Sequence, residues 1–206
     1  TDFQADLDAD GEGEFRLVTG ACEEQGRFNG IELSETDEAY SICTGPMRFE
    51  INKRQFGLVE RVELGHLGDD GVFVCEDQVT GDRSGDAWVR ISESAQNEGG
   101  DRFIYGMGGN CLASLDPGFQ VIVEEQGPMR LVIRCEGGFE ADIPMHHYSG
   151  YQPFRFITRI YAYAGKMDLR VLHTVVVACN PTQTQVEEIA LKIPVDLGGR
   201  TVYQAA

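Results

Sequence analysis

Within the seven residues Met145-His146-His147-Tyr148-Ser149-Gly150-Tyr151 the chain places two imidazoles and two phenols, and Arg155 and Arg159 follow on the next stretch. Removing a proton beside a carboxylate needs these groups. A guanidinium neutralises the acid, and an imidazole or phenol of suitable pKa takes or returns the proton. Tyrosine rings also stack on sugar faces while their hydroxyls form hydrogen bonds. We assign His146, His147 and Tyr148 as candidate catalytic groups, and Tyr151, Arg155 and Arg159 as candidate contacts to an acidic sugar. In extended backbone the two adjacent histidines point to opposite sides, so one of them faces any given site. The competing reading is a polar surface loop between two strands.

Other constellations are weaker. Asp6, Asp8 and Asp10 with Gly11 match the opening of a calcium loop, but the twelfth position is Leu17, where a bidentate glutamate is required. An acidic turn is expected there, with a loose calcium site as the alternative. No other cofactor is expected. Gly106-Met-Gly-Gly109 offers no Lys-Ser/Thr and reads as a flexible loop. His173 sits in an apolar run and is expected as a satisfied core histidine. Arg130 and Arg134 alternate with apolar residues and share one face, as surface charge on a strand. There is no GxSxG, HExxH or dinucleotide fingerprint, so serine-hydrolase, zinc-protease and nucleotide chemistry have no support.

The elements that must position these groups are strands. Glycine accounts for 25 of 206 residues and punctuates short apolar stretches, and few segments hold a helical period over ten residues. Alternation dominates instead. Arg155, Ile157, Arg159, Tyr161 and Tyr163 share one side of an expected strand, and Phe156, Thr158, Ile160 and Ala162 share the other. Ala164–Asp168 is a tight connection to a β-branched run at 169–177, giving a hairpin. Further strands are expected at 15–19, 39–43, 46–51, 56–64, 71–75, 87–92, 119–125, 128–136 and 186–195. The fold class is therefore all-β, an antiparallel sandwich or barrel.

Charge narrows the partners. With 34 acidic against 17 basic residues the net charge is −17, which argues against a phosphate backbone or an anionic membrane surface. No apolar run approaches the roughly 20 residues of a membrane-spanning helix. The acid is concentrated early: residues 1–40 hold twelve carboxylates against two arginines, while residues 152–206 hold four against six basic residues. The C-terminal part is thus the better place to receive an acidic ligand. The six cysteines at 22, 43, 75, 111, 135 and 179 show no CxxC spacing, leaving disulfides and free buried thiols as open alternatives. Thr1 is not an initiator methionine, and Thr201–Ala206 carries no stop-like feature, so the expectation is a piece of something longer.

Several phrases together resemble the exo-rhamnogalacturonan lyase family of polysaccharide lyases. Asp2–Leu7 and Glu14–Val18 are similar to the closing strands of that family's small RIFT-type barrel. Cys43–Phe49, Phe56–Val59 and Val62–Leu64 are similar to the first strands of its central β-sandwich. Glu125–Arg134 with Glu136-Gly137 resembles the middle strands, and Arg159–Gly165 with Leu169–Thr174 the hairpin after them. The resemblance implies a barrel tail at residues 1–37 and a sandwich of the galactose-mutarotase-like supersandwich type at 38–206. It also implies a missing helical toroid, against which the catalytic cleft forms. The implied setting is extracellular and the implied partners are an acidic polysaccharide and absent flanking domains. Alone, the piece is expected to be inactive. The alternative is a glycan-binding or structural sandwich that self-associates through open sheet edges.

Overall fold

A computed structural model describes residues 30–80, 84–96, 102–142, 153–181 and 184–196. Its strands are β1 (Glu32–Glu35), β2 (Ala39–Cys43), β3 (Met47–Asn52), β4 (Glu60–Leu67), β5 (Phe73–Gln78), β6 (Asp86–Gln96) and β7 (Arg102–Leu112), followed by a 3₁₀ turn at Ala113–Leu115. Then come β8 (Gln120–Gln126), β9 (Arg130–Gly138), β10 (Glu140–Ala141), β11 (Phe154–Tyr163), β12 (Leu169–Val177) and β13 (Thr184–Lys192). They form three antiparallel sheets: sheet I in the order β1-β2-β3-β4-β5, sheet II in the order β10-β7-β6-β13, and sheet III in the order β12-β11-β9-β8. The all-β antiparallel expectation holds. Among the described residues no helix is long and apolar enough to cross a membrane.

Strict alternation explains sheet III. In β11, Phe154, Phe156, Thr158, Ile160 and Ala162 are all buried, and the residues between them face outward. Leu131, Ile133 and Cys135 of β9 lie beside them on the same face, and β12 completes the hairpin with Ala162 opposite Leu169. Its bounds, 154–163 and 169–177, are those expected. The inward faces of all three sheets meet in one apolar cluster that joins Ile42, Phe49 and Ile51 to Val89 and Ile91 and to Ile133 and Ile160. Phe56, from the β3–β4 connection, is its keystone. Its ring stands edge-on to Phe156 at 4.8 Å and to Phe119 at 6.0 Å. Burying such a ring contributes roughly 1.5–3 kcal/mol.

Backbone links lace the sheets together. The Thr44 hydroxyl donates to the Lys166 carbonyl at 2.7 Å, and the Gly165 N–H donates to the Thr44 carbonyl at 2.7 Å, tying sheet I to the β11–β12 turn. The buried Asp116 carboxylate accepts from the Gly138 N–H at 2.6 Å and the Gly118 N–H at 2.9 Å, locking the start of β8 against the end of β9. A Cβ at Gly137 would lie 2.5 Å from that carboxylate, so the position needs glycine.

Two expectations need correcting. Residues 56–64 are not one strand: Leu58 (φ 61°) and Arg61 (φ 46°) adopt left-handed backbone, and β4 begins only at Glu60. Gly106–Gly109 is not a loop but part of β7. Ile91 pairs with Gly109 and Glu93 with Tyr105, so the glycines occupy an irregular stretch of strand. Strand β1 was not anticipated. It forms a hairpin with β2 across the expected domain boundary at 37/38. Residues 1–29, most of the expected barrel tail at 1–37, lie outside the described residues.

Candidate functional site

The outward face of sheet III carries the candidate site. The register aligns Tyr161 with Val132 and Arg170, and Arg159 with Arg134 and Leu172. Arg155 lies between Gly138 and Val176. As expected, β11 presents Arg155 and Arg159 on one side, and β9 does the same with Arg130 and Arg134. Arg155 and Arg159 are four residues apart, about 13 Å along the strand, so they cannot grip one carboxylate together.

Their surroundings differ. Arg159 donates from Nε to Glu124 Oε2 at 2.7 Å and from its terminal nitrogen to Oε1 at 3.1 Å, a two-pronged pair. The same carboxylate lies 3.2 Å from Arg134, so one glutamate serves two guanidiniums. Its hydrogen bonds to Arg159 hold the Glu124 carboxyl below the usual range and raise the Arg159 pKa in return. Arg134 Nε lies 3.4 Å from Glu136, yet that buried nitrogen makes no hydrogen bond among the described residues. Arg130 is held by Glu125 at 2.9 and 2.8 Å. By contrast, Arg155 is exposed and has no ion pair among the described residues. Arg170 is also exposed and rests 5.6 Å from the Tyr161 ring centre.

A bulge builds this arrangement. The β8–β9 register shifts between Val123, opposite Ile133, and Glu125, opposite Val132. Glu124 is the extra residue. Both neighbouring glutamates therefore reach outward, where regular pleating would send one of them inward. Sequence reasoning missed Glu124, because its partner is 35 residues away and the bulge leaves no signature. It also passed over Arg170, which the hairpin register places beside Tyr161.

The inward face offers little chemistry. A row crosses it from Cys135 through Thr158 to His173. Thr158 Oγ1 and His173 Nδ1 share a hydrogen bond of 2.7 Å, and the imidazole lies against Phe156 at 6.0 Å. His173 is thus a core residue, but only half satisfied: its buried Nε2 has no partner among the described residues. Burial lowers its pKa and pushes the Cys135 thiol up to about 12, which leaves no thiolate nucleophile at neutral pH. Cys43, Cys75, Cys111, Cys135 and Cys179 are all free.

His146, His147, Tyr148 and Tyr151 lie outside the described residues, as do Asp6, Asp8 and Asp10 of the expected acidic turn. Among the described residues no group of three or more His, Cys, Asp or Glu side chains is placed to hold a metal ion.

Comparison with known proteins agrees with this geometry in part. Residues 119–204 match the model of a family described as the PcRGLX-like protein central β-sandwich domain. The match opens one residue before β8, so all of sheet III lies within it, together with β10 and β13. No curated protein matches the chain.

Proposed function

From the sandwich match over residues 119–204, we propose that the chain is part of an extracellular, polysaccharide lyase-like protein acting on acidic, rhamnogalacturonan-type glycans. In this reading the outward face of sheet III receives the acidic sugar. Arg155 meets a carboxylate and Tyr161, backed by Arg170, stacks on a ring. Arg159 joins only when a sugar acid displaces Glu124 from its guanidinium. The single observation that carries the reading is an exposed Arg155, without an ion pair among the described residues, on the sheet that the family match covers. His146, His147 or Tyr148, in the segment leading into β11, supply the base or acid, and the cleft is completed by a flanking domain. The piece alone therefore binds without cleaving.

The test is to incubate the chain, and its longer parent, with pectic rhamnogalacturonan and follow the ultraviolet absorbance of the unsaturated product. Product from the parent alone is the expected result. A parent that binds and yields no product removes the lyase reading and leaves glycan binding standing.

A second reading, a structural subunit of an assembly, is favoured by one observation. The edge strands β12 and β13 expose Leu172, Val176, Val177, Val186 and Ile189. Apolar edges left unpaired among the described residues invite another strand. Light scattering on the purified chain tests it: a strictly monomeric particle at high concentration overturns assembly.

A further inference from the structure

Sheet I has a cleft of its own, independent of the reading of sheet III. Its floor is the outward face of β1 and β2, where Ser34 pairs with Ser41 and Glu32 with Cys43. Its wall is the end of the β4–β5 hairpin, which supplies Leu67, Gly71 and Phe73. The hairpin takes this path because β4 and β5 slip register between Leu64 and Gly65. There the strands approach so closely that a Cβ at Gly65 would collide with the Val74 carbonyl oxygen. Asp70 accepts from the Val72 N–H at 3.0 Å and the Gly68 N–H donates to the Val72 carbonyl at 2.8 Å, so the hairpin tip is fixed. The space enclosed is about 330 Å³, at the small end of the roughly 300–1,000 Å³ typical of small-molecule clefts.

The lining selects by charge. Arg48 leans over the Phe73 ring at 4.8 Å and gives two hydrogen bonds, of 2.9 and 2.6 Å, to Glu63. Its charge is therefore neutralised, while its other terminal nitrogen makes no hydrogen bond among the described residues. Glu32 is exposed and has no ion pair among the described residues, so an incoming anion meets an uncompensated carboxylate. What remains is an aromatic and aliphatic wall, the Ser41 hydroxyl, the Ser34 hydroxyl as an acceptor (it donates to the Ser41 carbonyl at 3.4 Å), one carboxylate acceptor and one guanidinium donor. A pyranose has complementary parts: a C–H face for Phe73 and Leu67, and a rim of hydroxyls that both donate and accept.

We propose that the cleft between the β1–β2 hairpin and the tip of β4–β5 binds a neutral, uncharged pyranose sugar. Nitrogen-15-labelled chain titrated with D-galactose, D-glucose and, as the acidic counterpart, D-glucuronate tests it by amide chemical shifts. Saturable shifts at Ser34, Ser41 and Phe73 with a neutral sugar, and none there with glucuronate, are expected. Phe73→Ala should weaken binding about tenfold or more, and Ser41→Val, which leaves the hairpin untouched, should weaken it severalfold. Absence of shifts in the cleft with either neutral sugar overturns the proposal. Unchanged binding in both variants does the same, and equal response to glucuronate overturns the neutral class. None of these outcomes bears on acidic-glycan binding at sheet III.

Discussion

On the outward face of sheet III, Arg159 is gripped by Glu124 while Arg155 and Arg170 stand exposed. On that of sheet I, Arg48 is held by Glu63, and Glu32 is exposed with no ion pair among the described residues. Both faces follow from alternation and both carry arginine–glutamate pairs, yet they are left with opposite unbalanced charge. A face is therefore characterised by which side chain remains after internal pairing, not by a tally of its residues. The acidic composition of the whole chain hides this, because the excess of carboxylates is unevenly placed.

Breaking what the two sheets share should have the largest effect. Phe56→Ala removes a fully buried ring between the β3–β4 connection of sheet I and the core face of sheet III. It should cost about 3–5 kcal/mol, measured by urea unfolding. Trp88 fluorescence and far-ultraviolet circular dichroism should lose their signals at one common midpoint. If sheet I unravels separately, the shared core is not a cooperative unit.

Affinity for an acidic polysaccharide sharpens the contrast next. Arg155→Ala should reduce binding about tenfold, with a shallower salt dependence, whereas Arg48→Ala should leave it unchanged. Glu124→Gln should raise affinity severalfold by freeing Arg159. Isothermal titration at two salt concentrations reads all three. Equal losses from Arg155 and Arg48 variants would erase the distinction between the faces.

A smaller, pH-dependent effect separates core from surface. Burial lowers the His173 pKa from its ordinary value of 6.5, so between the two values the unfolded chain binds more protons than the folded one. Its contribution is complete above 6.5 and declines as pH falls through that value towards the depressed one. The urea midpoint should therefore drop on acidification below neutrality, and His173→Leu should flatten that slope. Glu124 acts in a lower window. Its carboxyl sits below the ordinary 4.5, so its contribution fades only as pH falls beneath that point.

Much of the fold was legible because side-chain period and strand pairing agree. The 154–163 and 169–177 hairpin needs only alternation and a tight turn, and Ala39–Cys43 and Met47–Asn52 are nearly as plain. What escaped depends on backbone conformation or distant pairing. Leu58 and Arg61 break an apolar run by adopting left-handed φ, which neither side chain advertises. The glycines at 106–109 belong to a strand only because β6 pairs alongside. At the site, Arg155 and Arg159 were legible as positions. Their unequal availability was not, since it rests on Glu124.

The extra residue in β8 lets one strand supply two counter-ions to the same surface. Shortening that strand by a single codon would restore even pleating, leave room for only one of them, and unmask a guanidinium without altering any arginine. Insertions and deletions in 120–126 thus become a dial on the electrostatic appetite of the surface.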